Sequence, residues 1–176
     1  YGDSPFYDEP VGETVYMDIL NRAKKYVHIM TPYLIIDQSM ITALTFAAKR
    51  GVDVKLILPH IPDKKFAFAL AKSHYKELLK AGVRIYEYKP GFVHAKIFTS
   101  DDEKAVVGTI NLDYRSLYLH FECAAFLYQV EEIAEIEKDF QRTLEKCQEV
   151  TLENRKKGTF FLRLEGWLLK WLAPLM

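Results

Sequence analysis

Apolar residues along the chain come in two rhythms that alternate. Val15, Tyr16, Ile19, Leu20 and Ala23 recur three or four apart, the spacing of one helical face, and predict a helix over residues 13–25. Residues 26–31 (YVHIMT) then read as a strand ended by Pro32. The pair repeats. Asp37 to Ser39 can cap a helix running to Arg50, where Gly51 stops it, and residues 52–58 (VDVKLIL) form a buried strand stopped by Pro59. Pro62 and Asp63 open a helix to Ala81, closed by Gly82, and residues 83–88 (VRIYEY) give the next strand. Residues 92–99 (FVHAKIFT) alternate like a strand, turn at 100–103 and return over 104–107. A further strand over 119–128 and a helix over 131–147 complete the pattern, with residues 1–10 as a loop broken by Pro5 and Pro10. Strands separated by helices of this length predict an α/β fold with a mixed, largely parallel sheet and helices on both faces.

Residues 1–150 carry this alternation as one domain, and residues 151–176 form a separate amphipathic tail. In the tail, Arg155, Lys156 and Lys157 precede an apolar stretch over 159–175. At 100° per residue Phe160, Phe161, Leu164, Trp167, Leu168, Trp171 and Leu172 share one face, with Arg163, Gly166 and Lys170 opposite. The stretch is too short and too charged to span a bilayer. It suits a helix lying in the headgroup region, or equally a helix docked on protein.

A chain of 176 residues, 49% hydrophobic, can bury the core of one ordinary domain. Lys+Arg and Asp+Glu balance at 24 each, which argues against a duplex-binding domain, so no nucleic-acid partner is expected. Cys123 and Cys147, in an expected strand and an expected helix, make no disulfide framework and point to a reducing compartment. No Cys/His spacing suits zinc, and neither a metal nor another cofactor is expected. The chain starts at Tyr1 with no signal peptide and no run of about 20 apolar residues, as expected of a piece of a longer protein.

The chemistry concentrates in residues 94–111: His94-Ala-Lys96, Asp101 five positions on, then Gly108-Thr109-Ile-Asn111. At average residue usage a chance match to this pattern is rarer than ~10⁻⁴. On a strand, His94 and Lys96 share a face with Cα atoms about 7 Å apart. The imidazole can attack or shuttle a proton, and the ammonium is a compact cation for phosphate oxygens. A turn at Gly108-Thr109 would bring Asn111 back beside them, adding an uncharged amide donor, with a hydroxyl from Thr109. Taken singly each has a plainer reading: a His or Lys on a half-exposed strand is ordinarily solvated, and Asp101 is a turn former. Asp113 and Arg115 suit a local ion pair. His28, His60 and His74 read as surface or packing residues.

The pattern H-x-K-x4-D-x6-G-[ST]-x-N resembles the HKD signature of the phospholipase D superfamily, which cleaves and exchanges phosphodiesters. Thr31-Pro-Tyr33, the 81–88 run, Asn111-Leu-Asp113-Tyr-Arg115-Ser116 and the apolar end at 172–176 are similar to the C-terminal half of bacterial cardiolipin synthases. The resemblance implies a metal-free, two-motif enzyme that transfers a phosphatidyl group between two phosphatidylglycerols through a phosphohistidine, at the cytoplasmic side of the bacterial cell membrane. It implies catalytic roles for His94, Lys96, Asp101 and Glu122 and phosphate binding by Lys96, Asn111 and Thr109. Glu122 would hydrogen-bond the motif histidine and set its tautomer. His120 departs from the family, where Asn is frequent. Since the chain holds one motif, its expected partners are an N-terminal HKD half or a second copy of itself, an anionic phospholipid, and the membrane surface. Two alternatives stay open: a single-motif homodimeric phosphodiesterase or nuclease, and an inactive phosphate-binding, membrane-docking half.

Overall fold

The computed structural model describes residues 1–153. The amphipathic stretch over 159–175 lies outside the described residues. The elements, in order, are β1 (Gly2–Asp3), α1 (Val11–Arg22), β2 (Tyr26–Met30), β3 (Leu34–Ile35), α2 (Gln38–Lys49), β4 (Asp53–Pro59), α3 (Lys65–Lys80), β5 (Arg84–Tyr88), β6 (Ile97–Ser100), β7 (Lys104–Gly108), β8 (Leu112–Asp113), α4 (Tyr114–Tyr118), β9 (Glu122–Tyr128), α5 (Glu132–Leu144) and β10 (Cys147–Val150). Eight strands form one sheet in the order β1-β9-β7-β6-β2-β4-β5-β10, and β3 pairs with β8 in a small parallel ribbon.

The α/β class and the helices on both faces are as expected. Parallel pairing within the large sheet is confined to β2, β4 and β5, the strands joined through α2 and α3. The other ladders are antiparallel, and the turn over 101–103 that joins β6 to β7 is too short for a parallel crossover. Four short strands escaped the sequence reading. Residues 2–3 pair with β9 instead of remaining a loop, and residues 147–150 pair with β5 where the helix was expected to continue. Cys147 therefore begins an edge strand.

Alternation within β2 divides the core. Val27 and Ile29 face Tyr16, Leu20, Leu44 and Leu78 from α1, α2 and α3, while Met30 packs with Ile57, Tyr86 and the α5 residue Phe140 on the other side. Each such large side chain contributes roughly 1.5–3 kcal/mol when fully buried. On the α5 face His28 stacks on Phe140 and shares a 2.7 Å contact with Glu137. His28 and His74 are buried packing residues, and His60 lies 2.9 Å from Glu87. Gly51 and Gly82 end α2 and α3 at φ of 91° and 98°, a left-handed turn that a Cβ would strain.

Candidate active site

The motif lies where β6 begins. The strand expected over 92–99 forms hydrogen-bonded pairs only from Ile97, since Met30–Ile97 is the last pair with β2 before Pro32 ends that strand. His94 and Lys96 thus sit on an irregular approach to the ladder. The Lys96 carbonyl still accepts the Gly108 N–H at 3.3 Å, which ties this approach to the end of β7. His94 is exposed and Lys96 is 9% exposed. The Lys96 side chain folds back: Nζ donates to the His94 carbonyl at 2.6 Å and stands 3.1 Å from both nitrogens of the His94 ring. The expected pairing of imidazole and ammonium is present, made by this fold-back instead of by a pleated face.

The loop carrying Asn111 is held from three sides. The Tyr16 hydroxyl donates to the Ile110 carbonyl at 2.9 Å, the Leu112 N–H donates to the Thr31 hydroxyl at 3.2 Å, and the Thr109 N–H donates to the Cys123 carbonyl at 2.9 Å. Tyr16 and Thr31 are each 1% exposed, so these are interior bonds whose loss leaves a desolvated group unpaired. The Asn111 amide nitrogen donates to the Ser116 hydroxyl at 2.9 Å, and its carbonyl oxygen is buried with no hydrogen-bond partner among the described residues. Tyr16, Thr31 and Ser116 were not singled out as supports. Only the Thr31-Pro-Tyr33 and Arg115-Ser116 runs hinted at two of them.

Glu122 takes a different partner from the one expected. Its carboxylate accepts the Thr109 hydroxyl in a short hydrogen bond and lies 3.7 Å from Nδ1 of His120. It is not hydrogen-bonded to His94. The turn at Thr109, which crosses onto the first residues of β9, puts the hydroxyl nearer than the imidazole. Thr109 and Glu122 therefore act as a pair. Asp113 also differs: it caps α4, accepting the Ser116 N–H at 2.7 Å, in place of an ion pair with Arg115. An N-cap of this kind is worth about 1 kcal/mol.

Asp101 does not reach the site. It lies at the far end of β6 from His94, at φ of 57°, and its carboxylate accepts the N–H groups of Lys24, Lys25 and Tyr26 at 2.7, 2.8 and 2.9 Å. Burial works to raise its pKa, but these N–H groups outweigh it and hold the carboxyl below its ordinary value. Its role is the turn-forming one, extended to bracing the α1–β2 connection. Stability from a depressed carboxylate is present above its unfolded pKa and fades as pH falls through the folded one. Asp101→Ala should lower stability by roughly 2 kcal/mol at pH 7, since three N–H groups lose a charged acceptor. The loss should shrink at pH 3, and transfer per folded molecule should hold within about threefold. Denaturant titrations at both pH values check this.

Two groups carry environments that matter to charge. Burial lowers the pKa of Lys96, opposed by Glu122 and Asp113. Burial raises that of Asp113, opposed by hydrogen bonds from Ser116 and Asn111. Beside His94 the structure places the Lys96 ammonium, the cation a phosphodiester needs, with the Glu122 and Asp113 carboxyls near enough to act on its charge. Among the described residues there is no cluster of three or more His, Cys, Asp or Glu that could hold a metal ion.

The fold agrees with the comparisons. The family model for the cardiolipin synthase, phospholipase D-like domain matches residues 16–144, and the chain belongs to that family. An uncharacterized protein of Streptococcus mutans is 58% identical over the whole chain, which covers 38% of that protein. A cardiolipin synthase of Clostridium perfringens is 41% identical over 98% of the chain and 36% of its own length. The chain thus spans about a third of the length of the curated relatives it matches. Among solved structures, phosphatidylserine synthase from Haemophilus influenzae superposes with a TM-score of 0.68 at 18% identity, over 94% of this chain and 43% of that one. Nuc, a phospholipase D family member from Salmonella typhimurium, gives 0.68 at 17% identity over 78% of this chain and 90% of that one. Both show the shared fold.

Proposed function

We propose that this chain is the second-motif catalytic half of a phosphatidyltransferase that joins two phosphatidylglycerols into cardiolipin and releases glycerol. The observation that carries the reading is the Lys96 ammonium held 3.1 Å from the His94 ring, joined through the Gly108 N–H to the loop that bears Asn111. In the first step the histidine of the other half attacks phosphorus. An N–P bond forms, the P–O bond to the glycerol headgroup breaks, and His94 gives that oxygen its proton. In the second step His94 takes the proton of a hydroxyl on the acceptor phosphatidylglycerol. That oxygen bonds to phosphorus as the N–P bond breaks. Lys96 and Asn111 hold the non-bridging oxygens throughout, while Thr109 and Glu122 fix the loop that aims them. The reading sets the domain on the cytoplasmic side of a bacterial cell membrane, with phosphatidylglycerol as donor and acceptor and with the first HKD motif supplied by an N-terminal half.

The test is product identity. Phosphatidylglycerol labelled in its terminal glycerol should give the intact protein one labelled glycerol for each cardiolipin formed. Phosphatidic acid in place of cardiolipin, or turnover of a soluble diester by a homodimer of this chain alone, would favour a hydrolytic enzyme instead.

A further inference from the structure

We propose that the edge of the domain beside His94 is a bilayer-contact surface, with Ile61 and Phe66 entering the interfacial region of an anionic phospholipid membrane and Lys64, Lys65 and Lys89 meeting its headgroups. Ile61 and Phe66 are 55% and 61% exposed, although both are large and apolar. They bracket the connection from β4 into α3, with Lys64 and Lys65 between them. The segment after β5 adjoins it: the His60 N–H donates to the Tyr88 carbonyl at 3.0 Å, and Lys89 and Phe92 follow, both exposed. Asp63 is the one acidic residue over 60–66, and it accepts the Tyr33 hydroxyl. Lys64 Nζ lies 5.6 Å from the centre of the Tyr33 ring, so the basic side of the loop is held toward the same edge.

This edge is continuous with the site. The Phe92 ring is 6.4 Å from that of Tyr33 and 5.9 Å from that of His94. A shallow, open depression beside Tyr33 and Phe92 is lined by Pro32, Leu58, Pro59, Lys64 and Phe68 among others. Protein–protein interface cores are poor in lysine, whereas isolated apolar side chains flanked by lysines suit the headgroup boundary. Each lysine near an anionic surface adds attraction that a neutral surface lacks. Contact here would bring a lipid phosphodiester to His94 without drawing the lipid fully out of the bilayer. The purpose rests on the phosphatidyl-transfer reading, but the contact itself is measurable without turnover.

The experiment places an environment-sensitive fluorophore on Ile61→Cys in the intact protein, in a Cys123→Ser, Cys147→Ser background, with Glu103→Cys at the opposite end of the sheet as control. On phosphatidylglycerol vesicles the probe at 61 should shift to the blue. Nitroxide-bearing lipid should quench it at least threefold more than on phosphatidylcholine vesicles, and the probe at 103 should stay in water. Ile61→Glu with Phe66→Glu should cut transfer on vesicles at least tenfold while transfer from detergent micelles stays within twofold. A probe at 61 that remains unshifted and unquenched on vesicle-bound protein overturns the proposal, as it would if another protein segment covered this edge. Equal transfer by parent and double variant on vesicles overturns it too. Absence of transfer by the parent in micelles as well would count against the phosphatidyl-transfer reading, and the probe result would still decide the contact.

Discussion

Lys96→Met is expected to lower phosphatidyl transfer by ~10³-fold while leaving the domain folded. Removing one preorganised donor from a developing phosphoryl charge typically costs 10²–10³-fold, and here the donor is also the cation nearest the His94 ring. Methionine suits a position 9% exposed, so stability should not fall. Burial lowers the Lys96 pKa, so the fold disfavours the charged form. That penalty is present below the folded pKa and relieved above it. Removing the charge should therefore leave the melting temperature equal or higher at pH 7. The same shift acts on rate. Lys96 loses its proton below the ordinary lysine range, and transfer should fall on the alkaline side earlier than a free lysine would allow. A pH–rate profile of Lys96→Met lacking that limb confirms the assignment, and an unchanged limb assigns it to another group. Arg at this position restores charge without the compact ammonium, and should recover only part of the rate.

Gly108→Ala is expected to be nearly as damaging, through geometry instead of charge. A Cβ on Gly108 would stand 2.4 Å from both the Ala124 Cβ and the Cys123 carbonyl, and 2.6 Å from the Ala124 Cα. Those are backbone and near-backbone atoms of β9, so β7 and β9 must part, at a cost of about 3 kcal/mol. The bond from the Thr109 N–H to Cys123 and the short bond from Thr109 to Glu122 lie next along the chain. Asn111 should move with them, and a displacement near 1 Å can cost 10²-fold in rate. Gly51→Ala is the contrast: nothing lies within 4 Å of its added Cβ, and only the φ of 91° is strained. It should cost about 1 kcal/mol and leave the rate unchanged. Thermal melts and transfer assays on both variants separate packing at the site from backbone strain elsewhere.

The contrast between these glycines marks what could be read without coordinates. Helix ends at Gly51 and Gly82 are local, and the helices and the strands between them were legible from period and punctuation. The motif was legible as an ordered set of side chains, but its geometry was not. His94 and Lys96 meet because a lysine folds back at the last rung of a ladder, and that rung is set by where β2 stops on another part of the chain. β1 and β10 are two and four residues long, too short for any periodicity, and exist because a neighbouring edge offers them partners. Glu122 was recognised from family resemblance, yet its partner is decided by the turn at Thr109, which places a hydroxyl nearer than the imidazole. Asp101 sits within the motif in sequence and at the other end of β6 in space, where three N–H groups converge on it. Spacing along a chain fixes faces well and distances across a turn poorly.

In the proposed reaction His94 moves the protons of phosphatidyl transfer. The most direct measurement is cardiolipin formed from labelled phosphatidylglycerol by the intact protein and by its His94→Ala variant, each shown to be folded by circular dichroism. At least a 10³-fold loss of transfer, with the melting temperature within a few degrees of the parent, is the result expected of an exposed side chain that takes part in the chemistry. A folded His94→Ala protein that still makes cardiolipin at the parent rate would contradict the account.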